Sequence, residues 1–157
     1  MRRRPSRRGF TLVELLVVFV VLTVLASMMV MRYIDLKHRA ISAKATADMD
    51  IVRKAGYARY YDAGAWPGGG GAGVIPADLQ PYLPNSFSFV RPEYTLEWEN
   101  FTPPGGGSSA SYQVGVRLTS ANTRLMQTLA QTIGSRSPYV MLGSDLVVIV
   151  VGPDGGI

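Results

Sequence analysis

Seventeen residues, Leu15 to Met31, form an apolar run broken only by Thr23 and Ser27. The hydroxyls of Thr and Ser bond back to helical carbonyls, so neither breaks a helix. With Phe10 to Glu14 added, the segment reaches the ~20 residues that a membrane-spanning helix requires. Arg2, Arg3, Arg4, Arg7 and Arg8 precede it, and Gly9 separates them from Phe10. Basic residues on one flank hold that flank in the cytoplasm. One carboxylate, Glu14, lies near the start of the run. An ionised side chain in hydrocarbon costs ~2.5–3.5 kcal/mol on insertion scales, which marks it as functional. Glu14 therefore needs a cationic partner, and cutting the chain before Phe10 would create one.

The stretch Arg7-Arg8-Gly9-Phe10-Thr11-Leu12-Val13-Glu14 resembles the type III signal of type IV pilins and type II secretion pseudopilins. In that family a membrane aspartyl peptidase cuts after the glycine and methylates the new N-terminus. The resemblance implies cleavage between Gly9 and Phe10, N-methylation of Phe10, leader charges on Arg7 and Arg8, and an assembly role for Glu14. An ordinary signal anchor has no reason to keep Glu14. A cleaved secretory signal would be cut after the apolar stretch at small residues, and Met28 to Arg32 offers no Ala-x-Ala pattern. Two positions depart from the family: Met31 stands where a Pro is common, and Thr23 where a Gly is common. Both departures imply a straighter membrane helix.

Charge supports the same division. The formal net charge of +5 and pI near 9.7 describe a chain that includes the leader. Of 16 Lys and Arg, five precede the expected cut, which leaves 11 against 11 Asp and Glu. A near-neutral mature chain offers no basic patch, so nucleic acid is not an expected partner. There is no cysteine, hence no disulfide to staple an exported domain. Many type IV pilins carry one, so its absence tilts the resemblance toward pseudopilins.

Beyond Arg32 the helical pattern continues. Ile34, Ile41, Ala45, Met49, Val52, Gly56 and Tyr60 recur at intervals of seven, four or three, placing them on one helix face. Asp35 with Arg39 and Asp50 with Lys54 are acid-before-base pairs at i,i+4. No Pro or Gly occurs from Phe10 to Ala55. A continuous helix over 10–62 would be ~80 Å long. Gly64 and Trp66-Pro67-Gly68 end it, and a glycine-rich loop runs on to about Pro84. Tyr94, Leu96 and Trp98 then alternate with acidic or polar residues, as do Tyr112, Val114, Val116 and Leu118, which predicts a hairpin with one wet face. Ser120 is the expected cap of a short helix carrying Leu125, Leu129 and Ile133 and ended by Gly134. Tyr139 to Leu142 and Leu146 to Val151 read as strands, the last central because it is apolar throughout.

Few constellations carry chemistry. Gly68-x-Gly70-x-x-Gly73 matches a dinucleotide fingerprint in letters only, since that mechanism needs a preceding strand, and it reads as a flexible loop. Glu97 and Glu99, with Asp145 and Asp154, are weak calcium candidates. A solvated strand face opposite Arg117 is the preferred reading of these glutamates. His38, the only histidine, reads as a helical surface residue. Tyr57, Tyr60, Tyr61 and Trp66 read as a seam between helix and sheet. No nucleophile–base pair is visible, so no enzymatic activity and no cofactor are expected.

The expected fold class is α+β: a long N-terminal helix, membrane half plus exported half, packed on a small antiparallel sheet, pilin-like. The expected division is a leader over 1–9, a transmembrane and filament-core helix over 10–32, and an exported domain over 33–157. The resemblance implies a single-pass protein of the bacterial inner membrane, N-terminus cytoplasmic and C-terminal domain periplasmic. Implied partners are the prepilin peptidase/methyltransferase, other pilin-like subunits and an inner-membrane assembly platform. The implied function is a structural subunit of a type II secretion pseudopilus. The alternative is a type IV pilin or minor pilin of a surface fibre.

Overall fold

The computed structural model describes residues 10–101, 112–134 and 137–152. Arg7, Arg8, Gly9 and the calcium candidate Asp154 lie outside the described residues. The first element is one helix, α1 (Leu12–Ala63), within two residues of the expected bounds. It stops at Gly64, whose φ of 68° suits a residue without a Cβ. The chain divides into two compact units, Met1–Lys37 and His38–Ile157, and α1 contributes to both.

In the first unit every Leu, Val, Phe and Met from Leu12 to Met31 is exposed. This is the one helix among the described residues that is long and apolar enough to cross a membrane. The remainder of α1, in the second unit, buries a single face: Ser42, Ala45, Asp48, Met49, Val52, Ala55 and Gly56. Intervals of three and four bring these residues to one side. That side joins the core of a four-stranded antiparallel sheet.

The strands are β1 (Thr95–Asn100), β2 (Val114–Thr119), β3 (Tyr139–Leu142) and β4 (Asp145–Val151), in the order β1-β2-β4-β3. Helix α2 (Thr123–Ile133) lies between β2 and β3 in sequence. Trp98 pairs with Val116, and Val116 with Val148, so one face carries a continuous apolar row. Ala45, Met49 and Val52 of α1 and Leu125, Leu129 and Ile133 of α2 share one core with that row. β4 is internal, and Leu146, Val147 and Val148 are all buried. The expected α+β class and central last strand are both present.

One acidic residue lies on the buried helix face. Asp48 accepts hydrogen bonds from Tyr94 Oη at 2.7 Å and Arg91 Nε at 3.0 Å. A buried carboxylate is tolerated only with such partners, and here they tie α1 to the segment leading into β1. Burial first, and then the Asp48 carboxylate, push the Tyr94 phenol upward, which keeps it a donor.

Several details differ from expectation. Asn122, not Ser120, caps α2, accepting from Leu125 N at 3.1 Å. Ser120 instead donates to the Glu93 carbonyl at 2.6 Å. Asp50 pairs with Arg53 at 2.9 Å rather than with Lys54. The glycine tract is bound to the sheet: Gly70 N donates to Trp98 O at 3.0 Å and Gly73 N to Leu96 O at 2.8 Å. It thereby covers the edge of β1, which would otherwise invite pairing with another chain.

Tightest of all is the approach of α1 to the sheet at Gly56. A Cβ there would lie 2.3 Å from Trp98 Cη2. The indole cannot step aside freely, because its Nε1 donates to Pro67 O at 3.1 Å. Gly56→Ala gains about 1 kcal/mol of helix propensity. Overpacking costs about 1–3 kcal/mol and should prevail. The expected result is a lower urea midpoint for the full chain in detergent, with a shifted tryptophan emission. An equal or higher midpoint would refute this packing.

Candidate functional site

The outer face of the sheet carries the carboxylates that the sequence singled out. Glu99 is 6% exposed, so the hairpin's second face is not wet at this position. Arg117 pairs in register with Glu97 but reaches diagonally to Glu99 Oε1 at 2.7 Å, with Asp145 at 3.9 Å. Tyr112 was expected in line with Val114 and Val116. Its ring instead lies over Gly115, where a Cβ would meet Tyr112 Cε2 at 2.9 Å, and its hydroxyl donates to Glu99. Burial, and then the Glu99 bond, push the Tyr112 phenol up to about 12. Burial followed by the Glu99 charge also raises the Glu97 carboxyl above its ordinary range.

Arg117, Glu99 and Asp145 form an ion-pair network. A guanidinium occupies the space between the carboxylates, and divalent calcium needs several oxygens free to converge. Among the described residues no group of three His, Cys, Asp or Glu comes together that could hold a metal ion. Glu99 and Asp145 are engaged by Arg117, and Glu97 stands opposite it in register. His38 is half-buried rather than freely exposed, with Nδ1 unpartnered among the described residues. Tyr60 stacks on Trp66 at 4.5 Å, and Tyr57 and Trp66 pack against the core, as a seam requires. Tyr61, 77% exposed, meets Tyr60 edge-on at 6.0 Å on the outside of that seam.

At the N-terminus the structure supplies a partner for Glu14 that the sequence reading missed. Thr11 N donates to Glu14 Oε2 at 3.1 Å, and Thr11 Oγ1 donates to the same oxygen at 2.9 Å. In return Glu14 N donates to Thr11 Oγ1 at 3.3 Å. The first intrahelical bond runs from Leu15 N to Thr11 O at 3.2 Å. Thr11 is therefore the N-cap and Glu14 the third helical residue of a reciprocal capping box. Thr-x-x-Glu directly before an apolar run is its sequence signature, and it was legible here. Glu14 Oε1 accepts no bond among the described residues. Phe10 is 75% exposed and precedes the helix.

Residues 4–30 match the family model of the prokaryotic N-terminal methylation motif. The chain carries, over those residues, the cleavage signal of type IV pilins and pseudopilins. The motif supports a pilin-like or pseudopilin protein without distinguishing the two systems. Together with the apolar helix it fits a single-pass, membrane-anchored protein. No curated protein matches the chain, and no solved structure does.

The carboxylate network makes its own prediction. Arg117→Met leaves Glu99 buried beside Glu97 without a counter-ion. Breaking a buried pair in this way costs about 3–5 kcal/mol; with Arg117 partly exposed, the lower end is expected. Glu97, whose carboxyl already titrates above its ordinary range, would lose the charge opposite it, so the variant loses stability as pH rises through that raised range. Its urea midpoint should recover on acidification from about pH 8 to about pH 5, relative to wild type. A pH-independent difference would contradict this network.

Proposed function

We propose that this chain is the precursor of a structural subunit of a type II secretion pseudopilus, processed at Gly9–Phe10 and assembled through its N-terminal helix. The match of residues 4–30 to the methylation motif carries the reading. The exposed apolar surface of residues 12–31 supports it, because such a surface requires lipid or other apolar helices around it. Before assembly the helix spans the inner membrane, with the sheet domain on the periplasmic side. After cleavage and methylation of Phe10, neighbouring apolar helices form the filament core. Addition of subunits at the base, on an inner-membrane platform, extends a short filament that drives export. The chain is the peptidase's substrate and performs no catalysis of its own. The lack of cysteine favours a pseudopilus over a surface fibre. Surface filaments, or twitching lost on deletion, would assign it to a type IV pilus instead.

Gly9 gives a peptidase unobstructed access, and Arg7 and Arg8 hold the site at the cytoplasmic interface. Gly9→Val is expected to leave the full precursor in the membrane. A normal mature chain by intact-mass analysis of that variant would overturn the cleavage site.

Cleavage creates an amine at Phe10, which methylation keeps cationic. Within one helix this amine and Glu14 are close enough to meet. In a growing filament the incoming amine also has access to Glu14 of a subunit already in place, and Oε1 is free to accept it. Joining two charges away from lipid favours docking and sets the stagger between subunits. Glu14→Ala is expected to insert and be cleaved normally, yet to lose filament yield and secretion. Normal yield and crosslinking stagger from this variant alone would remove Glu14 from assembly.

A further inference from the structure

We propose that Thr11 is a positioning residue for processing: by capping α1 it holds the helix start downstream of the Gly9–Phe10 bond, leaving that bond's carbonyl free for the peptidase. The inference rests on the processing reading above and goes beyond it, assigning to Thr11 a role distinct from the assembly role of Glu14.

Peptide hydrolysis adds water across the bond. The hydroxyl joins the Gly9 carbonyl carbon, the proton passes to the Phe10 nitrogen, and the products are a Gly9 carboxylate and a Phe10 amine. The carbonyl oxygen carries negative charge on the way, so it must be free to meet the enzyme's donors. A helix begun two residues earlier would bond that oxygen to Val13 N–H, by the i→i−4 rule. The apolar run gives the helix every reason to extend toward the leader, because unsatisfied backbone groups are costly in hydrocarbon.

Thr11 stops that extension. Its Oγ1 takes the Glu14 N–H at 3.3 Å, a donor that a longer helix would direct to the Phe10 carbonyl. Its own N–H is taken by Glu14 Oε2 at 3.1 Å, and Leu12 is the first helical residue. Upstream, Gly9 and Ser6 are the next residues able to cap. A chain lacking the Thr11 cap would therefore restart its helix at Gly9, with the scissile bond at its first turn.

Capping ability, rather than side-chain shape, should then govern the cleavage rate. Thr11→Val keeps the shape and removes the cap. Thr11→Ser and Thr11→Asn keep the cap, and Thr11→Gly keeps most of it with no side chain at all. Glu14→Gln preserves the reciprocal bond while removing the charge. Full-length precursors in detergent, with purified prepilin peptidase, would be followed by intact mass. Cleavage of Thr11→Val is expected to be about fivefold slower, and that of the Ser, Asn, Gly and Glu14→Gln chains within about twofold of wild type. Amide exchange should show new protection at Val13, whose N–H would then bond the Gly9 carbonyl, in Thr11→Val alone. If Thr11→Gly is as slow as Thr11→Val, the enzyme reads the threonine side chain itself and the inference fails. Wild-type rates and unchanged protection in Thr11→Val would also overturn it. An uncut wild-type chain would instead sink the processing reading on which it rests.

Discussion

One helix in this protein must satisfy two solvents, and the other features follow from how it does so. From Leu12 to Met31, α1 is apolar on every side and exposed on every side. A helix satisfies all its interior backbone groups internally, which leaves only side chains to be matched to hydrocarbon. From Ser42 onward the same helix is apolar on one face alone, and that face is buried. The change from an all-round pattern to a stripe divides membrane work from folding work.

At each end of this arrangement an acidic residue breaks the local rule. Asp48 stands in the buried stripe and is satisfied by Tyr94 and Arg91, which fix the helix to the approach of β1. Glu14 stands in the apolar run, where among the described residues Thr11 alone partners its carboxylate, through Oε2. The first carboxylate, whose two bonds both fall on Oδ2, serves the fold. The second has no core around it, and its Oε1 accepts no bond among the described residues, which suits the pairing proposed for it with an N-terminal amine.

Much of this was legible because it depends on periodicity. Of the seven residues that spacing places on one face, Ala45, Met49, Val52 and Gly56 are buried, Ile41 and Tyr60 half-buried and Ile34 exposed. The alternation around Leu96, Trp98, Val116 and Leu118 located the hairpin, and the unbroken apolarity of β4 placed it inside the sheet. Tertiary partners were less legible. Glu99 reads as wet from its place in the alternation, yet Arg117 and Tyr112 cover it from positions that spacing does not connect. The glycine tract reads as a loop, and only the folded chain brings Gly70 and Gly73 to the β1 edge. Ser120 and Asn122 are both good caps, and the choice between them turned on Ser120 finding the Glu93 carbonyl. The Thr11-x-x-Glu14 box is legible in the sequence, but a carboxylate at the head of an apolar run reads first as a charge in lipid.

The account stands on the chain being cut and methylated at Phe10. The most direct measurement is the intact mass, with N-terminal fragmentation, of the unmodified protein recovered from the membranes in which it is made. The account predicts a chain that begins at Phe10 and is heavier than the bare sequence by one methyl group on its terminal amine. A chain retaining Arg7, Arg8 and Gly9, or one cut beyond the apolar run, would contradict it.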